Sequence, residues 1–137
     1  MVNKPNPIDE EFTFAKGLII SSTDLSGIIT YANRKFCEIS GYSKSELIGQ
    51  SHNILRHPDM PKAAFQELWD TIQSEKEWNG IVKNLRKDGL YYWVYSHVSP
   101  IVQDNQIIGY TAARRPASAA EVEETMPIYK DLVAQES

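Results

Sequence analysis

Cysteine is nearly missing from this chain: Cys37 stands alone among 137 residues. One thiol cannot close an internal disulfide, and no paired-cysteine zinc spacing exists, which points to a reducing compartment. Long apolar runs are missing too. None approaches the ~20 residues that span a bilayer, and the opening MVNKPNPIDEEF has no apolar signal core. The expectation is a soluble cytoplasmic module. A surplus of positive charge is also lacking. Fourteen Lys and Arg against eighteen Asp and Glu give −4, which argues against a nucleic-acid partner held through phosphates. The sequence has no Walker loop, no G-x-G-x-x-G, no G-x-S-x-G and no paired carboxylates in an apolar stretch. An enzyme is therefore not expected. His52, His57 and His97 are the only histidines. No two share an i, i+4 helix face, so no metal site is expected.

What is present is periodicity. Residues 17–23 and 27–31 read as two short strands around a turn. Asn33 caps a helix through RKFCEIS, ended by Gly41, and the S-x-x-E pair Ser43 and Glu46 opens another short helix. Phe65, Leu68, Trp69 and Ile72 recur at i, i+3, i+4 and i+7, which predicts an amphipathic helix over 61–75 with Pro61 in its first position. The period then becomes two. WNGIVKNLR and LYYWVYSHVSPI flank Asp88 and Gly89 as a hairpin, and QIIGYTAARR follows as a third strand. Residues 118–135 read as a closing helix. The order β-β-α-α-(α)-β-β-β-α gives an α+β domain: a five-stranded, mostly antiparallel sheet with the helices grouped on one face.

Two features resist a purely structural reading. The stretch HNILRHPDMP, residues 52–61, crowds Arg56, His57 and Asp59 into an irregular loop ahead of a helix N-terminus, where N–H groups attract anions. A salt-linked loop, or Asp59 as a helix cap, explains it as well as a ligand does. In the strand at 78–84, Trp78, Gly80, Val82 and Asn84 share one side. If that side faces the helices, Asn84 is a buried amide needing partners, from nearby backbone or from a bound ring. Gly80 in mid-strand marks a close approach by another group.

Two stretches carry a family resemblance: "IISSTDLSGIITYANRKFCEISGYSKSELIGQ", with its N-x-x-F-x-x-x-x-G-Y-x-x-x-E-L-x-G pattern, and "WNGIVKNLRKDGLYYWVYSHVSPIVQDNQIIGY". Together they resemble the PAS domain over about residues 17–115. That leaves 1–16 as an N-terminal arm and 116–137 as a helical linker. The string HNILRHPDMPKAAFQELWDTI narrows the likeness to the sensor domains of bacterial aerotaxis receptors. The resemblance implies a PAS fold and non-covalent FAD, with FMN or heme as less favoured cofactors. It also implies sensing of redox state or oxygen. The implied partners are the receptor's own HAMP-like or methyl-accepting regions, a chemotaxis kinase complex and a second copy in a homodimer. The chain would then be the soluble part of a membrane-anchored receptor.

The flavin contacts implied by the same resemblance are Arg56, His57 and Asp59 in the loop, Trp78 packing on the ring and Asn84 at its polar edge. Asn33 and Tyr92 are further implied contacts. The likeness also extends to blue-light PAS domains, whose adduct-forming cysteine is replaced here by His52, so adduct photochemistry is not expected. Cys37, on a different helix, reads as a small buried hydrophobe. Two rivals stay open: a heme-binding PAS gas sensor using a histidine as axial ligand, and a cofactor-free interaction module.

Overall fold

Five segments with strand periodicity pair into one antiparallel sheet: β1 (Ile19–Thr23), β2 (Ile29–Ala32), β3 (Trp78–Leu85), β4 (Tyr91–Gln103) and β5 (Gln106–Pro116). The computed structural model describes residues 4–136; residues 1–3 of the N-terminal arm and Ser137 lie outside the described residues. The strand order is β2-β1-β5-β4-β3, so the first and last hairpins meet through β1 and β5. The chain must therefore cross the sheet from one edge, β2, to the other, β3. That crossing carries α1 (Arg34–Ser40), α2 (Lys44–Leu47), a 3₁₀ turn (His52–Leu55) and α3 (Lys62–Gln73) over one face.

Local chemistry sets these elements. Asn33 caps α1 by accepting from the Phe36 N–H at 3.0 Å. Gly41 closes it in the left-handed region, at φ 82°. Ser43 and Glu46 form the reciprocal capping box on α2. Pro61 is the N-cap of α3 rather than its first residue, and its ring has no acceptor to offer the free N–H groups. Glu136, just beyond the last helix, supplies one partner by accepting from the Lys62 N–H at 2.7 Å. The 3₁₀ turn has no sequence periodicity of its own and was not expected. Ser51 caps it, and its residues Ile54 and Leu55 are buried.

The core lies between the crossing helices and the sheet. Phe36, Ile39, Tyr42, Leu47 and Leu55 meet Ile19, Ile29, Tyr92 and Val94 there, all buried. Each such side chain contributes roughly 1.5–3 kcal/mol through removal of apolar surface from water. The closing helix α4 (Ala119–Ala134) departs from the grouping of helices on one face. It packs on the opposite side of β3, where the Tyr129 hydroxyl donates to the Ile81 carbonyl at 2.6 Å. A bidentate Arg115–Glu121 pair holds its first turn. Among the described residues no helix is long and apolar enough to cross a membrane.

The N-terminal arm lies against the β3–β4 hairpin. The Ile8 N–H donates to the Gly89 carbonyl at 2.8 Å and the Phe12 N–H to the Tyr91 carbonyl at 2.7 Å. A Cβ at Gly89 would sit 2.6 Å from the Asn6 carbonyl oxygen, so only glycine lets the arm approach. Phe12 lies under the Arg86 guanidinium at 3.9 Å, and Phe14 meets the Tyr92 ring edge-on.

Asn33 does more than cap. Its Oδ1 also accepts from the Ile20 N–H, and its Nδ2 donates to the Leu18 carbonyl, tying α1 to the start of β1. Asn33→Ala should lower unfolding free energy by about 1–2 kcal/mol, the loss of a cap with its extra bonds. Urea denaturation checks this. An unchanged midpoint would refute the tie.

Candidate functional site

Between the sheet and the crossing helices the core is not solid. A cavity of about 140 Å³ opens there, many times the ~10–15 Å³ that holds one water on a comparable measure. Its walls are apolar and aromatic. Phe65, Leu68, Trp69 and Ile72 of α3 face Val82, Val98 and Tyr110 of the sheet. Phe65, Leu68 and Trp69 form the stripe that predicts the helix, yet they are only partly buried, because the stripe faces space rather than other side chains. Trp69 meets Tyr110 edge-to-face at 5.7 Å. Most of the exposed wall is apolar, but more than half of the lining residues carry polar side chains, Ser21, His52, Arg56, Asn84, Ser96 and Arg114 among them. An apolar slot with a few convergent polar groups is the usual form of a small-molecule site.

Arg114 dominates the electrostatics. It is 5% exposed on β5, facing inward. One guanidinium nitrogen, Nη2, lies 3.0 Å from the Ser21 oxygen and 2.8 Å from His52 Nε2. The other, Nη1, is buried with no partner. Among the described residues no carboxylate pairs with it. Burial lowers its pKa to about 10, and an uncompensated buried charge costs several kcal/mol. His52 is held neutral by the same arrangement. Burial first, and the Arg114 charge second, push its pKa down to about 3. Its Nε2 therefore accepts from Arg114, and its ring stacks on Phe36 at 6.0 Å.

The seven residues singled out from sequence divide. Asn84 and Arg56 line the cavity. Asn84 is 4% exposed, and its strand pairs locally with the loop at Arg56. The Arg56 guanidinium lies 4.7 Å over the Phe65 ring and donates to the Met60 carbonyl. Trp78 and Tyr92 share the sheet face of Asn84 but lie beside the cavity. The Trp78 indole lies across Gly80, which answers the mid-strand glycine: a Cβ there would collide with the ring. Its Nε1 donates to Glu67 of α3 at 3.2 Å. The Tyr92 hydroxyl is buried with no well-formed hydrogen bond, and burial above all raises its pKa to about 12.

His57, Asp59 and Asn33 are not in the cavity wall. The Asp59 N–H donates to His57 Nδ1 at 3.0 Å. The Asp59 carboxylate accepts from Lys83 Nζ at 2.7 Å, which holds its pKa down. Asp59 thus neither caps α3 nor pairs with Arg56. His52 and Arg114 escaped selection. His52 carried a signal, its place at the adduct-cysteine position, but Arg114 sits in an ordinary-looking ARR run. Only the strand alternation that makes Tyr110, Ala112 and Arg114 co-facial could have found it.

His52 gives a measurable pH signature. Its folded pKa lies below the unfolded value, so the unfolded chain binds the extra proton. Stability is then full above about pH 6.5 and falls as pH drops toward 3, at up to about 1.4 kcal/mol per unit. His57, also lowered by burial, adds to the same slope. His52→Asn should remove close to one proton from the slope between pH 6 and 5, read by denaturation at several pH values. An unchanged slope would contradict a neutral His52.

This site lies within a recognisable family pattern. Residues 29–114 match the family model described as the PAS fold. The chain is 47% identical over 116 residues, 85% of its length, to the aerotaxis receptor of Escherichia coli strain K12. It is 33% identical over 102 residues, 74% of its length, to the nitrogen fixation regulatory protein of Klebsiella pneumoniae. It spans only 23% and 21% of those two proteins. Among solved structures, the PAS domain of a Colwellia psychrerythraea protein superposes with TM-score 0.68 at 32% identity, covering 73% of this chain and 86% of that one. The dark structure of the blue-light photoreceptor Aureochrome1 LOV is similar in fold, with TM-score 0.69 at 22% identity, covering 86% and 83%. By sequence pattern and by architecture alike, the chain belongs to the PAS family.

Proposed function

We propose that this PAS domain is a sensor that binds a flavin non-covalently, as FAD, and reports redox state or oxygen availability to a signalling partner. The observation that carries the reading is Arg114: a buried guanidinium with a free Nη1, no carboxylate partner among the described residues, and an aromatic-walled cavity in front of it. A flat ring with acceptor atoms on one edge suits that wall. Likeness to an aerotaxis receptor supports the same reading. It extends the proposal to receptor signalling regions, HAMP-like or methyl-accepting, a chemotaxis kinase and a homodimer. In that setting the domain is the cytoplasmic part of a membrane-anchored receptor. The axial-histidine alternative is less well supported. His52 Nε2 is engaged by Arg114, His57 Nδ1 by backbone, and His97 by Asn79 and Glu77 on the far side of the sheet.

When bound, a flavin supplies a ring whose charge and protonation change on reduction. The protein's part is to bind, orient and respond. Arg114 presents a fixed positive fork, which favours whichever state carries more negative charge. His52, neutral, orients that fork through Nε2. Asn84 offers both a donor and an acceptor to a polar ring edge. Phe65, Trp69 and Tyr110 exclude water, which strengthens these interactions. A site that favours one redox state biases the conformation by the same free energy. Asn84 on β3 is the route by which the bias reaches the outer sheet face.

The first experiment is to release the small molecule from freshly purified protein and identify it by mass spectrometry; FAD is expected. Arg114→Met should then weaken binding and lower the reduction potential, about 30 mV for each 1.4 kcal/mol of lost preference in a two-electron couple. Asn84→Ala should alter both potential and signalling. Colourless protein that yields no flavin would overturn the reading and leave an interaction module.

A further inference from the structure

Lys83 is an unusual residue to find where it is. It lies in mid-strand on β3, 8% exposed, on the face opposite the cavity. Its Nζ donates to the Asp59 carboxylate at 2.7 Å. The same ammonium sits 4.2 Å above the Tyr91 ring and 5.6 Å from the Trp93 ring centre, favourable positions for a cation over aromatic faces. Its backbone N–H points to Met60 Sδ at 3.3 Å. One residue thus holds two successive residues of the loop that follows the 3₁₀ turn. The loop is closed on itself from within: the Asp59 N–H on His57 Nδ1, and Arg56 Nη2 on the Met60 carbonyl.

We infer that Lys83 is a positioning residue for Arg56, and that His57 and Asp59 serve the site through this clamp rather than by touching a ligand. This rests on the flavin reading only for its affinity readout. The strand supplies the logic. Neighbouring residues of a strand point to opposite faces, so Asn84 enters the cavity while Lys83, one peptide away, grips the loop from behind. Arg56 is held from both sides: its backbone pairs with the strand at Asn84, and its guanidinium hydrogen-bonds the carbonyl of the residue whose sulfur Lys83 engages. The Asp59 carboxylate is two-thirds exposed, so the ion pair alone is a modest attraction. Its effect is to fix direction: released, the loop keeps its sequence but loses the restraint that turns the Arg56 fork toward Phe65 and the cavity.

The test uses the full chain with four substitutions. Lys83→Met keeps the apolar stem and removes the charge. Asp59→Asn, at an exposed side chain, guards against misfolding of the first variant. Lys83→Arg keeps the charge, and Arg56→Ala removes the positioned group. Flavin affinity should fall about tenfold in Lys83→Met and in Asp59→Asn, a loss typical of an uncoupled polar network, and stay within about threefold of wild type in Lys83→Arg. In an Arg56→Ala background, Lys83→Met should cause no further loss. Amide hydrogen exchange should quicken over residues 56–60 in Lys83→Met while α1 stays protected. Losses that multiply in the double variant would make Lys83 merely structural and overturn the inference. So would unchanged affinity together with unchanged exchange. If the wild type carries no flavin, the functional reading fails alone. The exchange measurement still decides the clamp: faster exchange over 56–60 supports it and unchanged exchange refutes it.

Discussion

A buried charge with no counter-charge organises this domain. Arg114 leaves water with no carboxylate among the described residues to meet it, and everything around it reads as accommodation. Ser21 and a neutral His52 accept what they can, Phe36 lies beneath the guanidinium, and one nitrogen stays unanswered. A protein that needed only stability would do better with an apolar residue there, since replacing buried ions by well-packed hydrophobes is often neutral or favourable. The sheet pays for an electrostatic wall because the helices opposite leave a slot in front of it.

That slot follows from the crossover. The chain must travel from β2 at one edge of the sheet to β3 at the other, and it does so in short helices joined by an irregular loop. Short helices cannot tile a twisted sheet as one long helix would. Where α3 stands off, its apolar stripe of Phe65, Leu68 and Trp69 faces space. The same crossing brings the loop of residues 56–60 along the free edge of β3, so a polar segment closes one end of an apolar cavity.

Much of this was legible in the residues. Strand alternation in β3 to β5, the capping box on α2, the Asn33 cap and the i, i+3, i+4, i+7 stripe of α3 are local signals with local causes, and the elements follow them. The membership in the PAS family and the five-stranded antiparallel sheet were legible as well. Partners distant in sequence were harder. Asp59 could have served as a cap or paired with Arg56; the side chain that claims it, Lys83, is on a strand whose register no local pattern specifies. Arg114 looks like any basic residue at a strand end until β5 lies between β1 and β4. The face chosen by α4 was equally hidden, because its apolar residues are sparse and none is fully buried.

The Glu136 contact has a wider consequence. That carboxylate closes the first turn of α3 at Lys62, while at the opposite end of the described chain Lys4 donates to the Arg56 carbonyl at 2.8 Å. Both contacts thereby fall on the short stretch that joins the 3₁₀ turn to α3, one at Arg56 and one at Lys62. A displacement of either contact would act on the same short stretch that carries Arg56 into the cavity wall.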